Sequence, residues 1–178
     1  EDFSKAIELK PMWPEGYYRR GNANLRLGHF LDARADADKA ISLYDKRPEY
    51  FLVKLLGLHY LGDKVAALDE YSRAISINPA YHIAFNNRAW AYFQLGEYAN
   101  GMADVNRALE LSPRYTYALN TKAHLLLALG DFSGAIVMFD RAIELGALGP
   151  IPHVGRGRTL EAMGDSAGAL RSFGRALE

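Results

Sequence analysis

Cysteine is absent from this chain of 178 residues, which excludes disulfides, thiolate metal sites and cysteine nucleophiles. An excess of charge of either sign is missing too. The 21 lysines and arginines balance 21 aspartates and glutamates, so the chain lacks the basic surplus of a typical nucleic-acid-binding domain. The longest purely apolar stretch, residues 125–129, falls far short of the roughly 20 residues that cross a bilayer, and no membrane insertion is expected. What is present is 49% apolar and 24% charged residues, the composition of a soluble folded chain. The length fits one domain or a small extended array. The chain opens on Glu1 inside an apolar-periodic run with no signal-peptide pattern. A piece of a longer polypeptide is expected, with the cytoplasm favoured as its compartment.

The dominant pattern is an internal repeat. Gly28, Gly62, Gly96, Gly130 and Gly164 are each 34 residues apart, preceded by Leu27, Leu61, Leu95, Leu129 and Met163. Ala6, Ala40, Ala74, Ala108, Ala142 and Ala176 step by the same 34, each followed by Ile or Leu. Two columns in one phase divide the chain into units 14–47, 48–81, 82–115, 116–149 and 150–178, after a half unit 1–13, as one array over 1–178. Each unit reads as two helices. The first stops at the glycine, which can take the left-handed C-terminal conformation. The second starts just past it, where Asp63, Glu97, Asp131 and Asp165 suit the positive end of a helix. Asn78-Pro79 and Ser112-Pro113 end second helices, while Pro48 and Pro150 open first ones.

These columns resemble the tetratricopeptide repeat. The family pattern places a large, a small and an aromatic residue on the first helix, then Ala-x-x-x-Phe and Pro on the second. The third full unit reads Phe85, Ala89, Tyr92, Gly101, Val105, Ala108 and Pro113; the fourth gives Ala123, Ala135, Phe139 and Ala142. Leu55, Asn24 and Ala37 depart from the pattern. The resemblance covers essentially the whole chain. It implies an all-α fold, a right-handed α-solenoid of antiparallel helix pairs, whose first helices line a concave groove for an extended peptide or a partner's helix.

A repeat supplies its own control: columns filled alike serve the fold, and groove columns that differ between units carry function. Helical spacing places Arg19, Asn22, Leu52, Leu56, Tyr60, Asn86, Asn87, Trp90, Phe93, Tyr117, Asn120, His124 and Arg158 on the groove face. The middle is aromatic and rich in amides, which suits a peptide. Rings bury an anchor side chain, while amides donate to and accept from its backbone. The competing reading makes Trp90, Tyr60 and Phe93 seam residues and lets the asparagines bond across units. A basic column, Arg20, Lys54, Arg88, Lys122 and Arg156, is expected to pair with the acidic column Asp2, Asp36, Glu70 and Asp104 rather than to bind phosphates.

Other chemistries find little support. One branch of the family clamps a chaperone's C-terminal carboxylates. Arg19 falls on that clamp's arginine and Asn87 on its middle asparagine, but Glu15, Leu52, Leu56, Tyr117 and Thr121 occupy the remaining places. Gly155-x-Gly157 follows no strand, so a phosphate loop is not expected. The histidines, His29, His59, His82, His124 and His153, show no metal-ligand spacing. The expectation is a non-catalytic scaffold for protein or peptide partners, with no cofactor or metal. The alternatives are a substrate-selecting arm of a larger enzyme such as a glycosyltransferase, and a homo-oligomerising scaffold. Phe3 and Ile7 at one end and Leu170, Phe173 and Leu177 at the other lack covering helices. Self-association through the ends, or a place inside a longer array, is therefore expected.

Overall fold

A computed structural model describes residues 2–62, 64–147 and 149–177; Asp63, one of the expected capping acids, lies outside them. Eleven helices are found among the described residues: α1 (Asp2–Leu9), α2 (Pro14–Leu27), α3 (Phe30–Leu43), α4 (Pro48–Tyr60), α5 (Lys64–Ile77), α6 (His82–Gln94), α7 (Tyr98–Leu111), α8 (Thr116–Ala128), α9 (Phe132–Glu144), α10 (Ile151–Ala162) and α11 (Ser166–Arg175). The chain forms two compact units, Glu1–Ala84 and Phe85–Glu178. In the first, α2 packs on α3, α3 on α4 and α4 on α5; in the second, α7 packs on α8, α8 on α9, α9 on α10 and α10 on α11.

The punctuation follows backbone chemistry. Gly28 closes α2 at φ 77°, its N–H reaching back to the Leu25 carbonyl at 3.2 Å, a conformation that costs a side-chain-bearing residue energy. Its equivalents at 62, 96, 130 and 164 share that conformation. Pro14 and Pro48 open α2 and α4, where the missing N–H would be unpaired anyway. Pro150 instead sits one residue before α10. Asp131 and Asp165 cap their helices by accepting from Gly134 N and Gly168 N, each at 2.9 Å. Glu97 does not. Its longer side chain overshoots the backbone and accepts from Asn100 Nδ2 at 2.8 Å.

Small residues let paired helices approach. In the first unit, Ala33 and Ala37 of α3 bury against Val53, flanked by Tyr18 and Leu25. In the second, Ala89, Val105, Ala108, Ala118 and Leu125 form one core cluster, and Ala123, Ala135 and Phe139 form another. Gly155 and Gly157, inside α10, are seats for the Phe139 and Phe173 rings. Their spacing serves packing, as expected once the phosphate-loop reading fails.

The repeated charges pair at an offset of sixteen residues. Arg20 binds Asp36 (2.7 Å), Lys54 binds Glu70 (3.0 Å) and Arg88 binds Asp104 (2.6 Å), each linking a first helix to the second helix of its own pair. Lys54 also reaches Asp38 at 2.9 Å. The acids sixteen residues on, Asp36, Glu70 and Asp104, are buried, which is why the column is spent on structure.

Candidate functional site

In the second unit, α6 and α8 bring four of the expected groove residues together. The Trp90 indole stacks on Phe93 with centroids 4.9 Å apart. The His124 imidazole stands edge-on to Trp90 at 5.6 Å and lies 6.0 Å from Phe93. Asn120 sits one turn before His124 on α8. The cluster continues through Phe139 of α9, edge-on to His124 at 5.2 Å, and through Tyr98 of α7, 6.0 Å from Phe93. Offset and edge-to-face rings of this kind gain about 0.5–1.5 kcal/mol per pair beyond area burial. Burial lowers the His124 pKa, and the positive charge of Arg158 on α10 lowers it further. The imidazole is therefore a neutral, amphipathic wall of the cluster at neutral pH.

The amides of the same helices are incompletely paired. Asn86 is only 5% exposed and donates through Nδ2 to Asn87 Oδ1 at 3.2 Å. Among the described residues, the buried carbonyl oxygens of Asn86, Gln94 and Asn120 find no hydrogen-bond partner. Leaving such an acceptor dry costs about 1–3 kcal/mol, and all three lie on α6 and α8, the helices that carry Trp90, Phe93 and His124. Tyr117, at the start of α8, and Arg158 are exposed.

The first unit holds the other five expected residues, and there the side chains are engaged differently. Arg19 donates to Glu15 Oε1 at 2.8 Å. The other oxygen of Glu15 takes Arg47 at 2.8 Å and the Tyr50 hydroxyl at 3.4 Å. Asn22 is tied to the Tyr18 carbonyl at 3.2 Å. Leu52 and Leu56 are half-buried, and Tyr60 is exposed but stacked on Phe30 at 4.5 Å. Sequence reasoning assigned Phe139 to the core alone and passed over its contact with His124. The signal was available, since His124 lies in the Trp90 column one unit on.

No group of three or more His, Asp or Glu among the described residues is placed to hold a metal ion. None of the described helices is long and apolar enough to cross a membrane.

Comparison with known proteins bears on the whole arrangement. Three tetratricopeptide repeat models match residues 14–47, 82–115 and 120–178. A tetratricopeptide repeat protein from Parabacteroides merdae superposes with a TM-score of 0.82 at 21% identity, over 98% of this chain and 70% of that one. YrrB, solved as a tetratricopeptide protein with an unusual peptide-binding site, gives 0.70 at 20% identity over 99% of this chain and 91% of its own. The "Protein STIP1 homolog" of Dictyostelium discoideum is 45% identical over 42 residues, 24% of this chain and 7% of that protein. The chain thus spans a small fraction of that relative's length. The 34-residue period, the paired helices and the matches over most of their length agree, and the chain belongs to the tetratricopeptide repeat family.

Proposed function

We propose that the chain is a non-catalytic interaction scaffold that binds a peptide segment at the ring-and-amide face of α6 and α8. Membership of the tetratricopeptide repeat family supports a protein-interaction role, and YrrB, a protein of the same fold, carries a peptide-binding site. The observation that carries the reading is the meeting of the Trp90–Phe93–His124 rings with the unpaired acceptors of Asn86, Gln94 and Asn120. Rings take an apolar anchor side chain, and the amides, once turned outward from their buried positions, accept backbone N–H groups from an extended segment.

A displayed random-peptide library, selected on the folded protein, supplies the ligand for the test. Trp90→Ala is expected to abolish binding of the selected peptides, Asn87→Ala to weaken it by about 1–3 kcal/mol through an unpaired buried group, and Lys122→Ala to leave it unchanged. Equal losses at Trp90 and Lys122, with circular dichroism showing folded variants, would refute the assignment.

A further inference from the structure

A second site lies at the other end of the same unit. Between α9, α10 and α11 is a cavity of about 180 Å³ lined by Ile143, His153, Arg156, Arg171, Ser172 and Arg175. It is smaller than the roughly 300–1,000 Å³ of pockets that hold drug-sized ligands, and its lining is dominated by cationic groups.

The repeat shows that this lining is not the ordinary content of these positions. The column of His153 holds Tyr17, Phe51, Phe85 and Leu119 in the other units. The column of Arg171 holds Ala35, Asp69, Ala103 and Val137. Ser172 stands where Asp36, Glu70 and Asp104 neutralise the cation sixteen residues earlier and where the fourth unit carries Met138. Here that cation, Arg156, donates through Nη1 to the Ser172 hydroxyl at 2.8 Å instead. Its acidic partner among the described residues is Asp140, which takes Nε at 2.6 Å and is partly exposed. An apolar position has thus become an imidazole, a neutral or acidic one a guanidinium, and a buried carboxylate a hydroxyl. All three changes face one cavity; the added guanidinium and the lost carboxylate raise its positive potential, and the imidazole makes an apolar position polar.

From this convergence we propose that the cavity is an anion site for a phosphate monoester, either inorganic phosphate or a phosphorylated side chain. Guanidinium groups match phosphate oxygens in paired, charge-assisted hydrogen bonds. The Ser172 hydroxyl, 3% exposed as a residue, supplies a neutral donor where the repeat's carboxylate would repel the ligand. The site is an open depression in which Arg171 and Arg175 are exposed, so a phosphate group can reach it from solvent.

The test uses the whole chain, isotopically labelled, titrated by NMR in 150 mM chloride, a background near physiological ionic strength. The probes are inorganic phosphate, a blocked phosphoserine tripeptide, its unphosphorylated form, and phosphatidic acid vesicles. Saturable shifts at residues 153–175 with phosphate or the phosphopeptide, and none with the plain peptide, are expected. Tighter binding of the phosphopeptide identifies a modified partner as the source, and tighter binding of phosphate identifies the free anion. Arg171→Ala is expected to weaken binding at least ~10-fold, as loss of a charge-assisted bond predicts. Ser172→Asp restores the acid that three other pairs carry, so it should fold normally and abolish binding. Arg107→Ala, in the column of Arg175 but outside the cavity, should change nothing. Unchanged affinity in Arg171→Ala and Ser172→Asp, no saturable shift, or binding to vesicles alone would overturn the proposal.

Discussion

The Arg88–Asp104 pair offers a sharp test of why the charge columns repeat. Two hydrogen bonds join them, Nε to Oδ2 at 2.6 Å and Nη2 to Oδ1 at 2.8 Å, and the side chains are 18% and 9% exposed. The guanidinium also lies over the Phe85 ring at 5.8 Å. Its pKa is raised above the ordinary value by the hydrogen bond to Asp104. Asp104→Ala would strand that cation in a poorly solvated seam. Breaking a fully buried pair costs about 3–5 kcal/mol, an exposed one about 0–1. The partial exposure here places the loss near ~2–3 kcal/mol, between those limits. The internal comparison is Arg107–Glu110, of similar length at 2.9 Å but with side chains 49% and 64% exposed, where Glu110→Ala should cost ~0–1 kcal/mol. Arg88→Met with Asp104→Leu strands no charge and should recover to within ~1 kcal/mol of the parent. Urea unfolding followed by far-UV circular dichroism measures all four, with the slope checked for constancy because repeat arrays depart from all-or-none unfolding. If Asp104→Ala costs no more than Glu110→Ala, or if the double variant is no better than the single, burial is not what gives the column its strength.

Two further outcomes follow from packing and titration. Gly155→Ala should destabilise by ~1–3 kcal/mol despite a better helix propensity, because the added carbon meets the fully buried Phe139 ring; Gly174→Ala, with open space around it in α11, should stabilise by up to ~1 kcal/mol. His124 is held neutral in the folded chain by burial and Arg158, whereas the unfolded chain takes up a proton below about 6.5. Stability is therefore full above that pH and falls as pH drops through it, and His124→Gln should flatten the slope of the urea midpoint between about pH 6.5 and 5.

Much of this was legible because the repeat multiplies each signal. The glycine column set the turn inside each unit, and the paired columns predicted the ion pairs at Arg20, Lys54 and Arg88. The faces of α6 and α8 followed from helical spacing, which put Trp90, Phe93 and His124 on one surface. What spacing cannot give is how deep a side chain sinks. Asn86 is assigned to the groove by its angle, yet it is nearly buried, because the neighbouring helix decides how much of that face stays open. Arg19 is likewise assigned by angle, while its engagement with Glu15, and through it with Arg47 and Tyr50, depends on side-chain reach. The His153 cavity escaped for another reason. Its residues come from three helices, and they stand out only when each is compared with its own column rather than with its sequence neighbours.

The sixteen-residue offset also bears on how such a chain tolerates recombination. A crossover that exchanges 34-residue segments keeps the reading of helices wherever it falls. It keeps the charge pairs intact only if it avoids the span between a cation and its acid. A joint between Arg88 and Asp104 makes that arginine depend on whatever the incoming segment carries at the acid's position. A joint between Asp104 and Lys122 transfers the pair whole. Sixteen residues after Lys122 stands Met138, so the unit that begins at 116 brings a cation but no acid at the paired position. A breakpoint between Arg88 and Asp104 should therefore be costly, and so should one between Asp38 and Lys54 or between Asp140 and Arg156, because these last two pairs bridge consecutive units.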